Sequence, residues 1–508
     1  MRTKIDGVDF AVDEHIWGHR LHDAQLPHLI VLEFLGVLGS NLDNPLGALV
    51  TDRVRYLPQR QIRLRSLLFN NPYVEAVRNR AISDDEKWKQ WNELFARDST
   101  KQGDEELDYL RNVFTSFDDF AKAIELLRSS SFEARSNKRW SSKFVFPFGP
   151  DAFYEDLNVD AKGMSNDRIF FARSGELLYL MLCRATRGKE LGQKLIARLF
   201  DASAPMNRLV KALQGPKHTA NEFKDVGYLP YDTHPRFDRM CEDWLSILSR
   251  DMPVYDALEH LIANAGMNML LYFLECAKAQ VGDVEPVEMV CEIVSRERTK
   301  VRALSGDSYQ ANQALSVRAV RASVESVRLD EKWAVALASE DPRGECAKIL
   351  GGRFQWPSAD GSDEAEYANM QGDELIKILV EKAEGRHDKH FGKIHSAWSR
   401  SIGLSSRRLS RRMRYAPNDR LLKTIVISIV EDRMQFDEFL IEVRKRYGLV
   451  IGDVEGSRLV DEKKVDQVAL TDNRNNLETR LVGLGLVRRL SDSCSFVENP
   501  FASKGDEQ

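Results

Sequence analysis

The residues of this chain that are best suited to bind a ligand are five arginines close to one another: Arg407, Arg408, Arg411, Arg412 and Arg414. Guanidinium groups bind phosphates and carboxylates in bidentate geometry, and no acidic residue interrupts this run. In a helix, Arg407, Arg411 and Arg414 would share one face, and Arg408 and Arg412 would flank it. We therefore expect a cationic face that binds DNA or an acidic partner surface. The ordinary alternative is a helix face that only contacts solvent.

The charge of the whole chain makes this run a local feature. The 508 residues carry a formal net charge of −5, which argues against general coating of nucleic acid. Between Arg386 and Arg420, however, ten lysines and arginines stand against two acidic residues. Any DNA contact is therefore expected from a basic patch in this region.

Two helices are predicted directly after the basic region. Pro417 and Asn418 are start signals, and Gly448 is well placed as a stop. Apolar residues recur at helical spacing in both segments: Leu421, Leu422, Ile425 and Ile429, then Phe436, Phe439, Leu440, Val443 and Tyr447.

A third helix and a β-hairpin complete the C-terminal segment. The helix is expected to start at Thr471 or Asp472 and to end at Gly485, and residues 486–497 have a strand, turn, strand pattern. Three helices and a hairpin in this order predict a winged helix-turn-helix, whose third helix enters the major groove. The expected DNA-binding residues are Arg474, Asn475 and Arg480 on that helix and Arg488 and Arg489 on the wing.

A protein-docking role is the alternative for the same segment. Asp472 and Glu478 dilute the positive charge of the third helix, so its charge alone does not decide for DNA. The DNA hypothesis therefore rests mainly on the arginines before the winged helix.

Two histidine groups are candidates for metal chemistry: His15, His19 and His22, and His387, His390 and His395. Imidazoles at helical spacing can bind zinc. Gly18 makes the first segment a poor helix, and Lys and Arg surround the second and disfavour a cation. We predict that neither group holds a metal, and we predict no cofactor.

A third polar cluster stands before an apolar helix. Asp167, Arg168, Arg173 and Glu176 precede or begin the apolar stretch 174–183. They form either a buried ion-pair network or a contact for a partner or nucleotide, and the network is the preferred interpretation.

Known catalytic motifs are absent from the sequence. It contains no GxxxxGK[ST], no HExxH and no GxSxG. The six cysteines form no CxxC pair, which argues against a zinc ribbon or a redox site and favours buried, reduced thiols. We predict no catalytic residues. An enzyme with a cryptic site at the 167–176 cluster or the histidines stays the alternative.

The secondary structure that carries these candidate residues is predicted to be mostly helical. We predict a mainly α fold, a large multi-helix body with the C-terminal winged helix. The expected divisions are a mixed, mostly helical region (1–160), a helical core (161–354), a linker, helix and basic region (355–415), and the winged helix (416–502). The strongest apolar run, 29–39, is too short for a membrane span, so a cytoplasmic location is expected.

Two segments resemble a known group of proteins. They are 167–180 (DRIFFARSGELLYL) and the C-terminal stretches 446–452 (RYGLVIG), 484–494 (LGLVRRLSDSC) and 498–500 (ENP). They resemble large subunits of bacterial antiphage defence systems, first of the methylation-associated type and second of the phosphorothioation-dependent restriction type. The resemblance implies a non-enzymatic or unassigned subunit that works beside a modification enzyme, a nuclease and an ATPase. Together with the basic region, it leads us to expect a non-catalytic, DNA-associated accessory subunit of a multiprotein defence complex. The alternative is an interaction scaffold whose winged helix docks a partner.

Overall fold

The structure is a computed structural model, and most of what it describes is helical. It describes residues 10–18, 21–22, 25–42, 49, 55–56, 67–68, 71–99, 107–129, 157–160, 163–166, 174–214, 224–225, 227–295, 300–357, 370–408, 410–491 and 494–502. The mainly α fold class is therefore confirmed. No helix among these residues is long and apolar enough to cross a membrane.

The elements are numbered in chain order. The α-helices are α1 (Val12–Trp17), α2 (Pro27–Ser40), α3 (Tyr73–Arg78), α4 (Asp84–Ser99), α5 (Asp108–Val113), α6 (Phe117–Ser129), α7 (Ser174–Cys183), α8 (Gly188–Leu199), α9 (Pro205–Gln214), α10 (Pro235–Ser249), α11 (Val254–Gln280), α12 (Val301–Glu325), α13 (Glu331–Leu337), α14 (Pro342–Phe354), α15 (Gly372–Lys389), α16 (Ile394–Ser401), α17 (Asp419–Ile429), α18 (Phe436–Tyr447), α19 (Ser457–Asp461) and α20 (Gln467–Gly483). The strands are β1 (Arg55–Tyr56), β2 (Leu157–Asp160), β3 (Gly163–Asn166), β4 (Lys224–Asp225), β5 (Met289–Val290), β6 (Ser405–Ser406), β7 (Arg414–Tyr415), β8 (Arg433–Gln435), β9 (Leu449–Val450), β10 (Val487–Ser491) and β11 (Cys494–Glu498).

The chain divides into two compact units, and both are discontinuous in sequence. One contains residues 1–28, 184–187 and 227–508, and the other contains 29–183 and 188–226. The sequence analysis expects four consecutive segments instead. Those four boundaries stay predictions.

The unit formed by 29–183 and 188–226 has an aromatic core. Trp88, Trp91 and Phe95 on α4 are buried, as their helical spacing predicts, and they pack with Phe117 and Phe120 of α6. The apolar stretch 174–183 is the buried helix α7, also as predicted. Most of residues 129–166, whose Ser, Asn, Gly and Pro content predicts a long loop, lie outside the described residues.

The other unit is built around the long helix α11, most of which is buried. A buried carboxylate, Asp243 of α10, joins three helices there. Its Oδ2 atom accepts hydrogen bonds from Asn264 (2.9 Å), Asn268 (3.1 Å) and the Tyr447 hydroxyl (2.8 Å). These bonds favour its charged form, but burial outweighs them and raises the pKa of Asp243. The network fixes α18 against α10 and α11.

The first helix of the C-terminal segment begins, and the second ends, where the sequence signals predict. The Asn418 side chain accepts a hydrogen bond from the Leu421 amide (2.9 Å) and so caps α17. Gly448 ends α18 with a φ of +68°. A Cβ atom at Gly448 would lie 2.2 Å from the Val287 carbonyl oxygen, so only glycine fits this left-handed position.

The predicted start of the third helix is wrong by about one turn. The helix α20 begins at Gln467, because the Asp466 side chain accepts a hydrogen bond from the Ala469 amide (2.8 Å) and forms the N-cap. It ends at Gly483, shortly before Gly485, which has a φ of +71°.

The predicted hairpin is present, and a third strand joins it. Strands β10 and β11 pair antiparallel, and β11 also pairs with β8, which gives the order β10-β11-β8. Strand β8 escapes sequence reasoning because it has three residues and its partner is about sixty residues away. A winged helix stays our interpretation of these elements.

One sheet links the C-terminal segment to residues near 290. Strands β5 and β9 run parallel, with Met289 opposite Leu449 and Val290 opposite Val450. Strand β9 lies between α18 and α20, so the connection between these helices carries structure of its own. The third helix is therefore placed partly by residues that precede it by almost two hundred positions.

Candidate nucleic-acid interface

The arginine run forms a loop on a short antiparallel stem and does not form a helix. Strands β6 and β7 pair Ser405 with Tyr415 and Ser406 with Arg414. The expected helical face is therefore wrong, because backbone pairing across the stem replaces hydrogen bonds along a helix. We call residues 407–413 the arginine loop; Leu409 lies outside the described residues.

Arg414 points into the protein, so its expected place on the exposed face is also wrong. Its side chain is 1% exposed and pairs with Glu292, which is 0% exposed. Its guanidinium also donates to the Arg408 carbonyl oxygen (2.7 Å). A buried cation is tolerable only when it is paired and hydrogen-bonded, and both conditions are met here. Arg414 thus holds the arginine loop to the body of the protein.

Three arginines of the loop are exposed and without a partner. Arg407, Arg408 and Arg411 have no side-chain hydrogen bond or ion pair with any residue that the structure describes. Arg412 is also exposed, but it contacts Asp307 (3.1 Å) and Gln310. The loop therefore presents three free guanidinium groups and one that is partly neutralised.

The stem of the loop rests on a buried polar network around Tyr415. The Tyr415 carbonyl oxygen accepts hydrogen bonds from Ser305 (2.7 Å) and from the Glu292 amide (3.0 Å). Its hydroxyl group contacts Asn312 (3.0 Å) and the Nε2 atom of His395 (2.8 Å). Burial lowers the pKa of His395 to about 4, so this imidazole is neutral at neutral pH. The stem is therefore anchored on both sides of the backbone.

The arginines of the expected recognition helix are paired with aspartates of the same chain. Arg474 of α20 contacts Asp437 (2.8 Å) and lies 5.0 Å from the centre of the Phe436 ring. Arg480 contacts Asp419 (2.6 Å). Both acidic partners stand at the starts of other helices, α18 and α17. Intramolecular ion pairs therefore largely neutralise the positive charge of α20.

The hairpin and the exposed side of α20 retain little free charge. Arg489 contacts Glu478 (2.8 Å), while Arg488 is exposed and Asn475 is exposed next to Arg474. The structure thus places all five predicted residues of this group on or near one helix and hairpin. Arg488 is the arginine among them that keeps an unpaired guanidinium within the described residues.

Asn473 is a structurally important residue that sequence reasoning missed. It is fully buried on α20, its Oδ1 accepts from the Ile293 amide (2.8 Å), and its Nδ2 donates to the carbonyl oxygens of Cys291 (2.9 Å) and Ile451 (2.8 Å). One side chain therefore joins α20 to the backbone beside β5 and β9. The signal available in the sequence was a polar residue at a position within the apolar stripe of α20.

The two histidine groups come together, although the sequence separates them by about 370 residues. The rings of His22 and His390 lie 4.0 Å apart, and His387 contacts Asp13 (3.0 Å). His19 lies outside the described residues. Among the residues that the structure describes, no group of three or more His, Cys, Asp or Glu side chains is arranged to hold a metal ion.

Of the polar cluster before α7, only the last residue, Glu176, lies among the described residues. Asp167, Arg168 and Arg173 lie outside the described residues. Glu176 is buried in the first turn of α7, next to Gly175, whose amide donates to Glu33 (2.6 Å). A carboxylate at this helix start interacts favourably with the helix dipole.

Residues 360–497 match the family model of methylation-associated defense system protein MAD7. The match covers about a quarter of the chain, including the arginine loop, α17, α18, α20 and most of the hairpin. It confirms the resemblance to the methylation-associated defence type, and membership in such a system implies other defence proteins as partners. No curated protein and no solved structure matches the chain.

Proposed function

We propose that this chain is a DNA-associated accessory subunit of a methylation-associated defence system, and that the arginine loop is its main DNA contact. The family match supports the defence role. The observation that carries the DNA contact is the set of three unpaired, exposed guanidinium groups on an anchored stem. Arginines without an internal partner can bind phosphates without first breaking an ion pair.

The contact is expected to be weakly dependent on base sequence. The arginines that would read bases, Arg474 and Arg480, are engaged by Asp437 and Asp419. Phosphate contacts position a protein on DNA but carry no direct sequence information. The loop would therefore hold duplex DNA for the partner enzymes of the defence system.

A salt series with duplex DNA tests this proposal. The variant replaces Arg407, Arg408 and Arg411 by alanine. Each lost phosphate contact flattens the slope of log K against log [salt] by about 0.9, so the variant should lose about 2–3 in slope. At low salt its affinity should fall by about tenfold or more.

The matched control removes three exposed cations elsewhere: Lys189, Arg208 and Lys211 replaced by alanine. This control changes the net charge by the same amount, so it separates a local contact from a general charge effect. Equal slopes for the wild type and the loop variant would contradict the proposal.

A protein-docking scaffold is the second candidate, and a separate observation favours it. Apolar side chains are exposed at the end of α20 and on the hairpin: Val482 (40%), Leu484 (39%) and Leu490 (60%). Exposed apolar groups beside internally paired arginines are typical of a protein-binding surface. If this surface binds a protein from the neighbouring genes, Leu484→Ser with Leu490→Ser should abolish co-elution on size exclusion. The loop variant should not.

A further inference from the structure

Three side chains form a hydrogen-bonded row of carboxylate, imidazole and hydroxyl. The Nδ1 atom of His387 on α15 lies 3.0 Å from Oδ1 of Asp13 on α1. Its Nε2 atom lies 3.0 Å from Oγ of Ser316 on α12. A carboxylate only accepts hydrogen bonds, so Nδ1 donates to Asp13, and in the tautomer with its proton on Nδ1 the Nε2 atom accepts from the serine hydroxyl.

The imidazole in this row is held in a fixed orientation. His387 is 0% exposed and stacks on Trp17, with ring centres 5.5 Å apart, and on Phe391, with ring centres 5.3 Å apart. Ser316 is only partly buried, so the hydroxyl end of the row lies nearer to solvent than the ring does. The ring therefore keeps its alignment with a hydroxyl group that belongs to a partly exposed residue.

This order of groups activates a serine for nucleophilic attack, because the ring takes the hydroxyl proton and the carboxylate stabilises the imidazolium. We propose that Asp13, His387 and Ser316 form a nucleophilic site that hydrolyses small carboxylic esters. It is independent of the proposed DNA contact. Asp13 lies about 300 positions before Ser316, and Ser316 lies 71 positions before His387, so no local motif indicates them.

The reaction balances without a cofactor. The Ser316 oxygen forms a bond to the carbonyl carbon of the ester, and its proton passes to Nε2 of His387. The carbon–oxygen bond to the alcohol then breaks, and the alcohol leaves with that proton. Water attacks the acyl-serine with the same help from His387, which releases the carboxylic acid and restores the hydroxyl group.

A fluorophosphonate probe tests the nucleophile directly. Attack by Ser316 forms an oxygen–phosphorus bond and releases fluoride, and peptide mass spectrometry of the full chain locates the label. We expect label on Ser316 in the wild type, none in Ser316→Ala, and labelling about 100-fold slower in His387→Asn. The control Ser323→Ala, on the same helix, should keep it. Absence of label on Ser316 would overturn the proposal, and so would equal rates in wild type and His387→Asn.

A thiol variant tests the same proposal if His387→Asn fails to fold. Ser316→Cys is alkylated with iodoacetamide alone and in combination with Asp13→Asn, after circular dichroism has shown equal helix content. If the row activates the nucleophile, the combined variant should react at least about tenfold more slowly. Equal alkylation rates would show that the row only fixes the three helices, and would overturn the proposal.

Discussion

The arginine loop and the helix α20 both carry arginines, but in opposite electrostatic states. Arg407, Arg408 and Arg411 have no internal partner among the described residues, whereas Arg474 and Arg480 each contact an aspartate. The loop holds its shape through one buried arginine, and the helix holds its place through one buried asparagine. The number of basic residues in a segment therefore does not measure its free charge. What matters is where the acidic residues of other segments fall.

The largest expected effect comes from removing the buried cation under the loop. Arg414→Met leaves the fully buried Glu292 with Arg302 as its remaining cation, so the free energy of unfolding should fall by about 3–5 kcal/mol. Urea unfolding measures this change. The exposed neighbour supplies the control, because Arg412→Ala should cost no more than about 1 kcal/mol. Similar costs for both variants would mean that the stem does not depend on Arg414.

A pH dependence of stability should come from the base of the same loop. Burial lowers the pKa of His395 to about 4, while the unfolded chain keeps a value near 6.5. Between these values the unfolded state binds a proton that the folded state does not. Stability from this group is therefore full above pH 6.5 and falls by about 3 kcal/mol as the pH drops to 4.

Chemical unfolding at several pH values checks this expectation. His395→Gln should remove part of the slope between pH 6.5 and 4. Another part should remain, because burial also lowers the pKa of His260 to about 4. An unchanged slope in His395→Gln would show that His395 does not stay neutral in the folded protein.

The anchor of α20 should give a smaller but clear effect. Asn473→Ala leaves three buried backbone groups, at Cys291, Ile293 and Ile451, without this partner. We expect a loss of about 2–3 kcal/mol in the free energy of unfolding. Asn475→Ala on the exposed side of the same helix is the matched control and should be almost neutral. Equal losses in the two variants would mean that the buried anchor does not explain the result.

The smallest expected effect tests whether α20 takes part in DNA binding. Asp437→Asn removes the carboxylate that pairs with Arg474. If the loop is the main contact, duplex affinity should change by no more than about twofold, as it should for Glu93→Gln, an exposed change of the same charge. A larger gain, combined with a new sequence preference, would show that α20 reads bases and that the arginine loop is not the main contact. Competition binding with several duplex sequences measures both.

The sequence predicted what local signals determine. Helices α17 and α18 follow from their apolar spacing, from Asn418 and from Gly448, and the hairpin follows from its turn. The spacing of the arginine run fits a helix, and no local signal shows that Arg414 pairs with Glu292, which precedes it by 122 positions. For the same reason the sequence does not predict three further features. These are the pairing of Arg474 with Asp437, the hydrogen bonds of Asn473, and the contact between the two histidine groups. Each depends on a partner that only the folded chain brings close.

The shared strand pair of β5 and β9 has a consequence for the exchange of parts between related proteins. The C-terminal segment cannot be moved as a cassette that begins near residue 416, because β9 would lose its neighbour strand and Asn473 would lose two of its three backbone partners. A chimera would need the residues around 289–293 from the same parent. Surface positions such as Arg407 can change one at a time, whereas these interior positions must change together.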